Sequence, residues 1–242
     1  MEFRRDLAGP LSILVFAVGL LVGLALFAVL VWSGVETLLF DPVWRYDAPL
    51  RSLRCPVMIT PSEAGVVSAG ISNPLDRPTE RFLRVHVTSG SILRVIEFTE
   101  AVELEPGETK RVAWEVTRDH AVYDRVIMVN AILRGRYGLP TRQSSCGIIV
   151  VDVPFFTGHQ VFGLSLAVSL LAMAGGYTLW VRSDGLLTRR RRRAARAMIA
   201  LGASVGVGIV LALMGWWLPG LILFVVVLVA IGVTIGYFLE RV

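Results

Sequence analysis

The sequence predicts a membrane protein of the α+β class: four transmembrane helices, with an extracytoplasmic antiparallel β-sandwich inserted between the first and the second. Three observations carry this expectation. Long runs contain no charge, a central stretch alternates apolar and polar side chains between turn residues, and positive charge collects on one side of the predicted membrane. Of 242 residues, 55% are hydrophobic and 18% are charged. Soluble domains run at about 45–50% apolar and about 25% charged. The excess excludes a disordered or acidic solvating chain and does not suit a purely soluble enzyme.

Residues 11–32 hold 22 positions without a charged side chain, and about 20 helical residues cross a hydrocarbon core about 30 Å thick. Residues 161–180, 197–217 and 220–239 repeat the pattern. Only Leu218 and Pro219 part the last two, and Pro219-Gly220 is expected to break the run into a helical hairpin. The first run follows the charged segment MEFRRD. It exceeds the usual signal-peptide core of about 7–15 residues, and Leu30-Val31-Trp32 offers no small-residue cleavage site, so it reads as an uncleaved signal anchor.

Residues 1–10, 182–196 and 240–242 carry ten arginines against four acidic residues, a charge of +6, whereas residues 34–160 carry 14 basic and 15 acidic side chains, a charge of −1. The positive-inside rule then predicts a multi-pass plasma-membrane protein with both termini and the loop 182–196 in the cytoplasm and residues 33–160 outside. Trp32, Trp216 and Trp217 fall at outer helix ends, and Trp180 and Tyr237 near inner ends, as interfacial aromatics should. Arg189, Arg190, Arg191, Arg192, Arg193 and Arg196 are expected to fix topology and meet anionic lipid head groups at about 1 kcal/mol each. A short loop without an accompanying domain or interleaved aromatics does not suit nucleic acid.

Residues 52–154 read as seven or eight short strands. Candidates are 55–59, 66–72, 82–88, 92–98, 102–104, 111–116, 126–133 and 147–153, separated by turns such as Thr60-Pro61-Ser62 and Glu105-Pro106-Gly107-Glu108. Residues 82–88 alternate Leu83, Val85 and Val87 against Arg84, His86 and Thr88, and residues 111–116 set Val112, Trp114 and Val116 against Arg111, Ala113 and Glu115. This spacing predicts an antiparallel sandwich of ordinary size, about 100 residues. Residues 33–51 link it to the first helix. Within them residues 35–46 either lie on the outer leaflet as an interfacial segment or pack under the sandwich. The seven residues 154–160 keep the sandwich close to the bilayer.

The stretch LEPGETKRVAWEV, with ISNPLDRP upstream, resembles bacterial immunoglobulin-like modules of cell-surface proteins, the group described as cell-adhesion-related or NEW3-type. The resemblance implies an immunoglobulin-like sandwich and brings no shared active site with it.

Cys55 and Cys146 flank this region on its oxidising side and are expected to form a disulfide. His86, His120 and His159 share no helical or hairpin spacing, and no His or Met follows Cys146 closely enough for a copper loop. Phosphate-loop, GxSxG and HExxH motifs are missing. The spans contain no Asp, Glu, Lys, Arg or His, which argues against an ion path. No catalytic, cofactor-binding or metal residue is therefore assigned, and no cofactor is expected. Gly19 and Gly23, Gly202 and Gly206, and Gly232 and Gly236 form three small-xxx-small pairs, suited to packing within the bundle or to docking a partner helix.

These features predict a non-enzymatic membrane protein whose outer domain serves protein interaction or assembly of an envelope complex. The alternative is an auxiliary subunit of a transporter or bioenergetic complex whose partners carry the cofactors. Twenty-three arginines against the single Lys110, and no Asn-x-Ser/Thr sequon, lean toward a bacterial source.

Overall fold

The structure, a computed structural model, describes residues 3–40, 47–90, 94–136, 138–184 and 189–239, with backbone only at 3–8, 38, 184, 189–191 and 234–239. The chain divides into a helical unit, residues 1–31 and 163–242, and a sheet unit, Trp32–Phe162. Among the described residues there are four α-helices: α1 (Phe3–Phe40), α2 (Gly158–Asp184), α3 (Arg189–Leu213) and α4 (Trp217–Leu239). Three stretches, Gly9–Thr37, Gly158–Ser183 and Arg192–Leu213, are long and apolar enough to cross a membrane.

In the helical unit α1 touches the other three helices. Built Cβ atoms show where its neighbours come closest. One on Gly19 would lie 2.7 Å from the Met173 backbone nitrogen and 2.8 Å from the Ser169 carbonyl oxygen. One on Gly23 would lie 2.6 Å from the Ser169 hydroxyl. The buried Ser169 hydroxyl donates to the Gly19 carbonyl at 2.8 Å. Further along, a Cβ on Gly176 would meet the Phe16 Cβ and the Ser12 carbonyl oxygen at 2.7 Å, so α1 and α2 run antiparallel in backbone contact. Gly208 of α3 faces the fully buried Phe27 ring, which stacks edge-on against Phe224 of α4 at 5.2 Å. Small residues permit this approach, and packing of this kind holds helices together in lipid.

Of the six glycines singled out from sequence, Gly19 and Gly23 therefore sit in a tight contact. Gly202 makes only an ordinary one with Met173, and Gly206 and Gly232 meet nothing within 4 Å among the described residues. The side-chain surroundings of Gly236 lie outside the described residues. Gly176→Ala is expected to weaken the bundle by about 1–3 kcal/mol, the usual cost of overpacking. Gly206→Ala should be neutral or stabilising by about 0.4–1 kcal/mol through the unfolded state. Detergent-titration unfolding of the two variants checks the contrast.

Several helix boundaries differ from the sequence expectation. The break between the last helices falls at residues 214–216, not at Leu218-Pro219. Gly215 takes φ 76, with Trp216 N–H bonded to the Leu211 carbonyl and Gly215 N–H to the Ala212 carbonyl. This is a Schellman cap, and glycine alone adopts its left-handed position without strain. Pro219 then lies in the first turn of α4, where its missing N–H has no acceptor to lose. The arginine run is also not a loop. Arg189 opens α3, and Arg192, Arg193 and Arg196 are exposed on its first turns. Arginine is a good helix former, although positive charge at a helix N-terminus opposes the macrodipole.

The sheet unit contains β1 (Ala48–Pro49), β2 (Met58–Ile59), β3 (Gly65–Ser72), β4 (Thr79–Ser89), β5 (Arg94–Leu104), β6 (Thr109–Val116), β7 (Val126–Leu133) and β8 (Arg142–Val150). The larger sheet runs β1-β8-β7-β4-β5, with β2 also on β8, and the smaller is β3-β6. One core joins them: Val67, Ala69, Ile71, Val112 and Val116 of the smaller sheet meet Leu83, Val85, Val87, Ile127, Val129 and Ile148 of the larger. The predicted inward phase of β4 is observed, with Leu83 and Val85 fully buried. Thr88, expected on the polar face, is buried too, because its hydroxyl bonds the Met128 N–H at 3.0 Å and the His120 carbonyl at 2.9 Å.

The sheets are antiparallel except at one edge, where β1 and β2 pair parallel to β8. The candidates 92–98 and 102–104 merge into β5, because Thr99-Glu100-Ala101 contains no breaker; residues 91–93 lie outside the described residues. The strand expected over 55–59 shortens to Met58–Ile59, and β8 starts five residues before residue 147, so that Cys146 lies within it.

Candidate functional site

Cys55 and Cys146 are disulfide-bonded, with Cα atoms 6.5 Å apart, and both pack against the core. The histidines are scattered, each beside a local partner. His86 lies 3.5 Å from Glu97, and His159 lies 4.0 Å from Glu63. His120 Nδ1 accepts the Thr117 N–H at 3.0 Å. Among the described residues no group of His, Cys, Asp and Glu could hold a metal ion.

Two surfaces of the sheet unit stand out. The first is β5. It pairs with β4 along its whole length, from Thr79↔Leu104 to Ser89↔Arg94. Its other edge has no strand partner among the described residues. From Arg94 to Ala101 every residue except Phe98 is exposed. Phe98 packs edge-on against Trp114 with ring centroids 5.8 Å apart. Across the strand pair Arg84 donates to Glu97, and this hydrogen bond, reinforced by the charges of Arg84 and His86, holds the Glu97 carboxyl below its ordinary 4.5.

The second is an open cleft of about 540 Å³ lined by Arg51, Ser52, Ser72, Thr109 and Arg142. Beside Arg142 lies Arg81, only 2% exposed, whose guanidinium donates at 3.4 Å to the Arg134 and Pro140 carbonyl oxygens. Burial, and then the neighbouring Arg142 charge, both lower the Arg81 pKa from its ordinary value. No carboxylate reaches it among the described residues. A buried charge without a counter-charge is costly, and apolar replacement of buried ionic groups is often neutral or stabilising. Arg81→Met is therefore expected to leave the unfolding free energy unchanged or raise it, by up to about 3 kcal/mol. A loss of stability in thermal unfolding would mean that the hydrogen bonds to the Arg134 and Pro140 carbonyls outweigh the cost of burying the charge.

The sheet unit also grips the helix ends that belong to it. On the α1 side, Ser33 and Thr37 press on Gly147 of β8, and Phe40 packs against Val122, Val126 and Met128. Residues 33–40 thus continue the helix against the sheet, while residues 41–46 lie outside the described residues. At the other junction, Gly158 abuts the Met58 carbonyl and donates its N–H to Glu63 Oε2 at 2.8 Å. Thr157 and Gln160 exchange hydrogen bonds as a capping box, with Thr157 N–H to Gln160 Oε1 at 3.0 Å and Gln160 N–H to the Thr157 hydroxyl at 3.4 Å. Glu63 adds a negative charge where the helix dipole favours one. The Thr157-x-x-Gln160 spacing was the available signal for this start, three residues before the span expected from hydropathy. Gly176 and Gly208 had a signal in the small-xxx-small pairs Ala172/Gly176 and Ser204/Gly208, whereas Gly147 left none.

No protein-family model matches the chain, and no curated protein matches it. Solved structures resemble about two fifths of it. A CARDB domain from Pyrococcus furiosus, in complex with di-metal ions, is 13% identical over 41% of this chain and 84% of that one, with a TM-score of 0.31. A β-glucosidase from Listeria innocua is 19% identical over 41% of this chain, with a TM-score of 0.30, and β-glucuronidase 2 from Bacteroides uniformis is 17% identical over 39%, with a TM-score of 0.28. The match covers only 15% and 12% of those two enzymes.

Proposed function

We propose that this chain is a four-span plasma-membrane protein with both termini cytoplasmic. On this reading its sheet unit is an extracytoplasmic immunoglobulin-like sandwich whose work is protein interaction or assembly of an envelope complex. The observation that supports the interaction role is the β5 edge. An edge strand of 11 residues, exposed over most of its length and ending in no bulge or proline, is a template for pairing. Proteins that keep such an edge commonly use it to add a strand from a partner. The uncharged spans and the arginines of α3 support the membrane placement.

Photo-cross-linking in cells tests this. A benzophenone amino acid at Thr99 of β5 should give one discrete higher-mass product that contains a partner protein. The same probe at Glu105, in the turn after β5, should give none. No product at Thr99, together with a monodisperse monomer in mild detergent, would overturn the interaction reading.

A further inference from the structure

The sheet unit has one end from which the chain leaves for α2, and that end carries an uncovered apolar rim. β7 pairs antiparallel with both β8 and β4, so the last residues of β8 and β4, the start of β5 and the segment before β7 share this end. Hydrogen bonds tie these segments together, from Val150 N–H to the Arg125 carbonyl at 2.7 Å and from Gly90 N–H to the Asp119 carbonyl at 3.2 Å. The side chains here are turned outward: Phe155 is 100% exposed, Tyr123 70%, Val95 51%, Phe156 45% and Ile96 42%.

Backbone conformation holds two of them out. Tyr123 and Phe155 adopt φ 54 and 70, in the left-handed region. A side chain there costs about 1–2 kcal/mol. An exposed aromatic also forgoes about 2–3 kcal/mol of burial. The turn from Val122 to Arg125, closed by the Arg125 N–H on the Val122 carbonyl at 3.1 Å, imposes the strain at Tyr123, and the exposed apolar area is the cost that a covering surface would remove. Three residues after Phe155, at Gly158, the α2 helix begins, and it is long and apolar enough to span a bilayer. The same end also presents exposed Arg94, Arg118 and Arg125 beside Asp119 and Asp124. This mixture of aromatic rings and long basic side chains suits the headgroup boundary.

We propose that this rim is a second membrane-contact surface, with Tyr123, Phe155, Phe156, Val95 and Ile96 seated in the headgroup–acyl boundary of the leaflet that α2 enters. The proposal rests on the reading of α2 as a membrane span, and it adds that the sheet unit itself dips into lipid. Such contact is the interfacial mode of binding, in which buried apolar area and attraction to anionic lipid act together.

Fluorescence quenching in nanodiscs tests it. The full chain is labelled with an environment-sensitive dye at Tyr123→Cys or Phe155→Cys, the native cysteines being paired. Comparison labels are Glu105→Cys at the opposite end of the sheet and Leu171→Cys within α2. The discs contain phosphatidylcholine and phosphatidylglycerol, with or without lipid carrying a doxyl quencher, placed just below the headgroup for the rim and Glu105 labels and near the acyl-chain end for Leu171, the middle of α2. Both rim labels should be quenched about two-fold or more relative to the Glu105 position, as expected for interfacial burial. Quenching at Leu171 with none at either rim position would overturn the rim while leaving α2 in the membrane. A blue-shifted rim label without quenching would mean that protein covers it, which also overturns the proposal. Loss of quenching at Leu171 would remove the span reading, and the rim with it.

Discussion

Replacing Cys55 and Cys146 by serine should lower the stability of the sheet unit by up to about 4–5 kcal/mol. The bond joins residues 91 apart in sequence, and cross-linking a loop of that length removes this much chain entropy from the unfolded state. It ties the segment before β2 to the interior of β8, so both chain ends of the core are held by it. The figure is an upper bound for this chain, because α1 and α2 pack together at Gly19 and Ser169 and already bring the ends of the unit near one another. Denaturant unfolding followed by near-ultraviolet circular dichroism, with and without reductant, reads the difference. The double variant should resemble either single one, since each leaves no disulfide. A loss below about 1 kcal/mol would show that the helices alone close the loop.

Gly158→Ala should be the most damaging single methyl addition in the unit, at about 3 kcal/mol, the upper end of overpacking costs. A Cβ there would run into the Met58 carbonyl and lie 2.7 Å from the Ile59 Cα. Both obstacles are backbone of β2, which is held to β8 by Met58↔Ile149 and Ile59↔Val150, so no side chain can swing aside to make room. Relief would come only by shifting the start of α2 and pulling Gly158 N–H away from Glu63. Gly163→Ala, one and a half turns later with nothing within 4 Å among the described residues, is the matched control. It should be neutral or slightly stabilising. Equal midpoints for the two variants would rule out the close approach of β2 to α2.

Local chemistry explains why parts of this fold were legible in sequence. The strands over 82–88 and 111–116 alternate because one face is buried by its neighbours, and the same alternation recurs in Leu83, Val85, Val112 and Val116 of the core. Asn73 advertised its turn: its amide bonds the carbonyls of Arg77, Leu104 and Glu105, while its Oδ1 accepts the Leu75 N–H at 3.0 Å. What could not be read depends on partners far along the chain. β1 and β2 are two residues each, and they are strands only because β8 lies beside them. The open edge of β5 is likewise a property of sheet order. Glycines mislead for a related reason. Gly206 and Gly208 look alike in sequence, and only the position of Phe27 on another helix makes the second one indispensable. Pro219 shows the remaining ambiguity, since a proline that ends one helix and a proline in the first turn of the next look the same until the cap at Gly215 is located.

The parallel pairing at the β8 edge has a consequence for the order in which the molecule can be made. Ala48 waits for Arg142, and Met58 for Ile149, before either segment has a sheet to join. During synthesis almost the whole unit is therefore exposed as an incomplete sheet, and contacts this far apart form slowly. Completion comes with the last strand, a few residues before Gly158 opens α2. The domain and the second hydrophobic helix thus become available at nearly the same moment of translation. A ribosome stalled shortly before residue 142 would hold a chain with its early edge still unpaired.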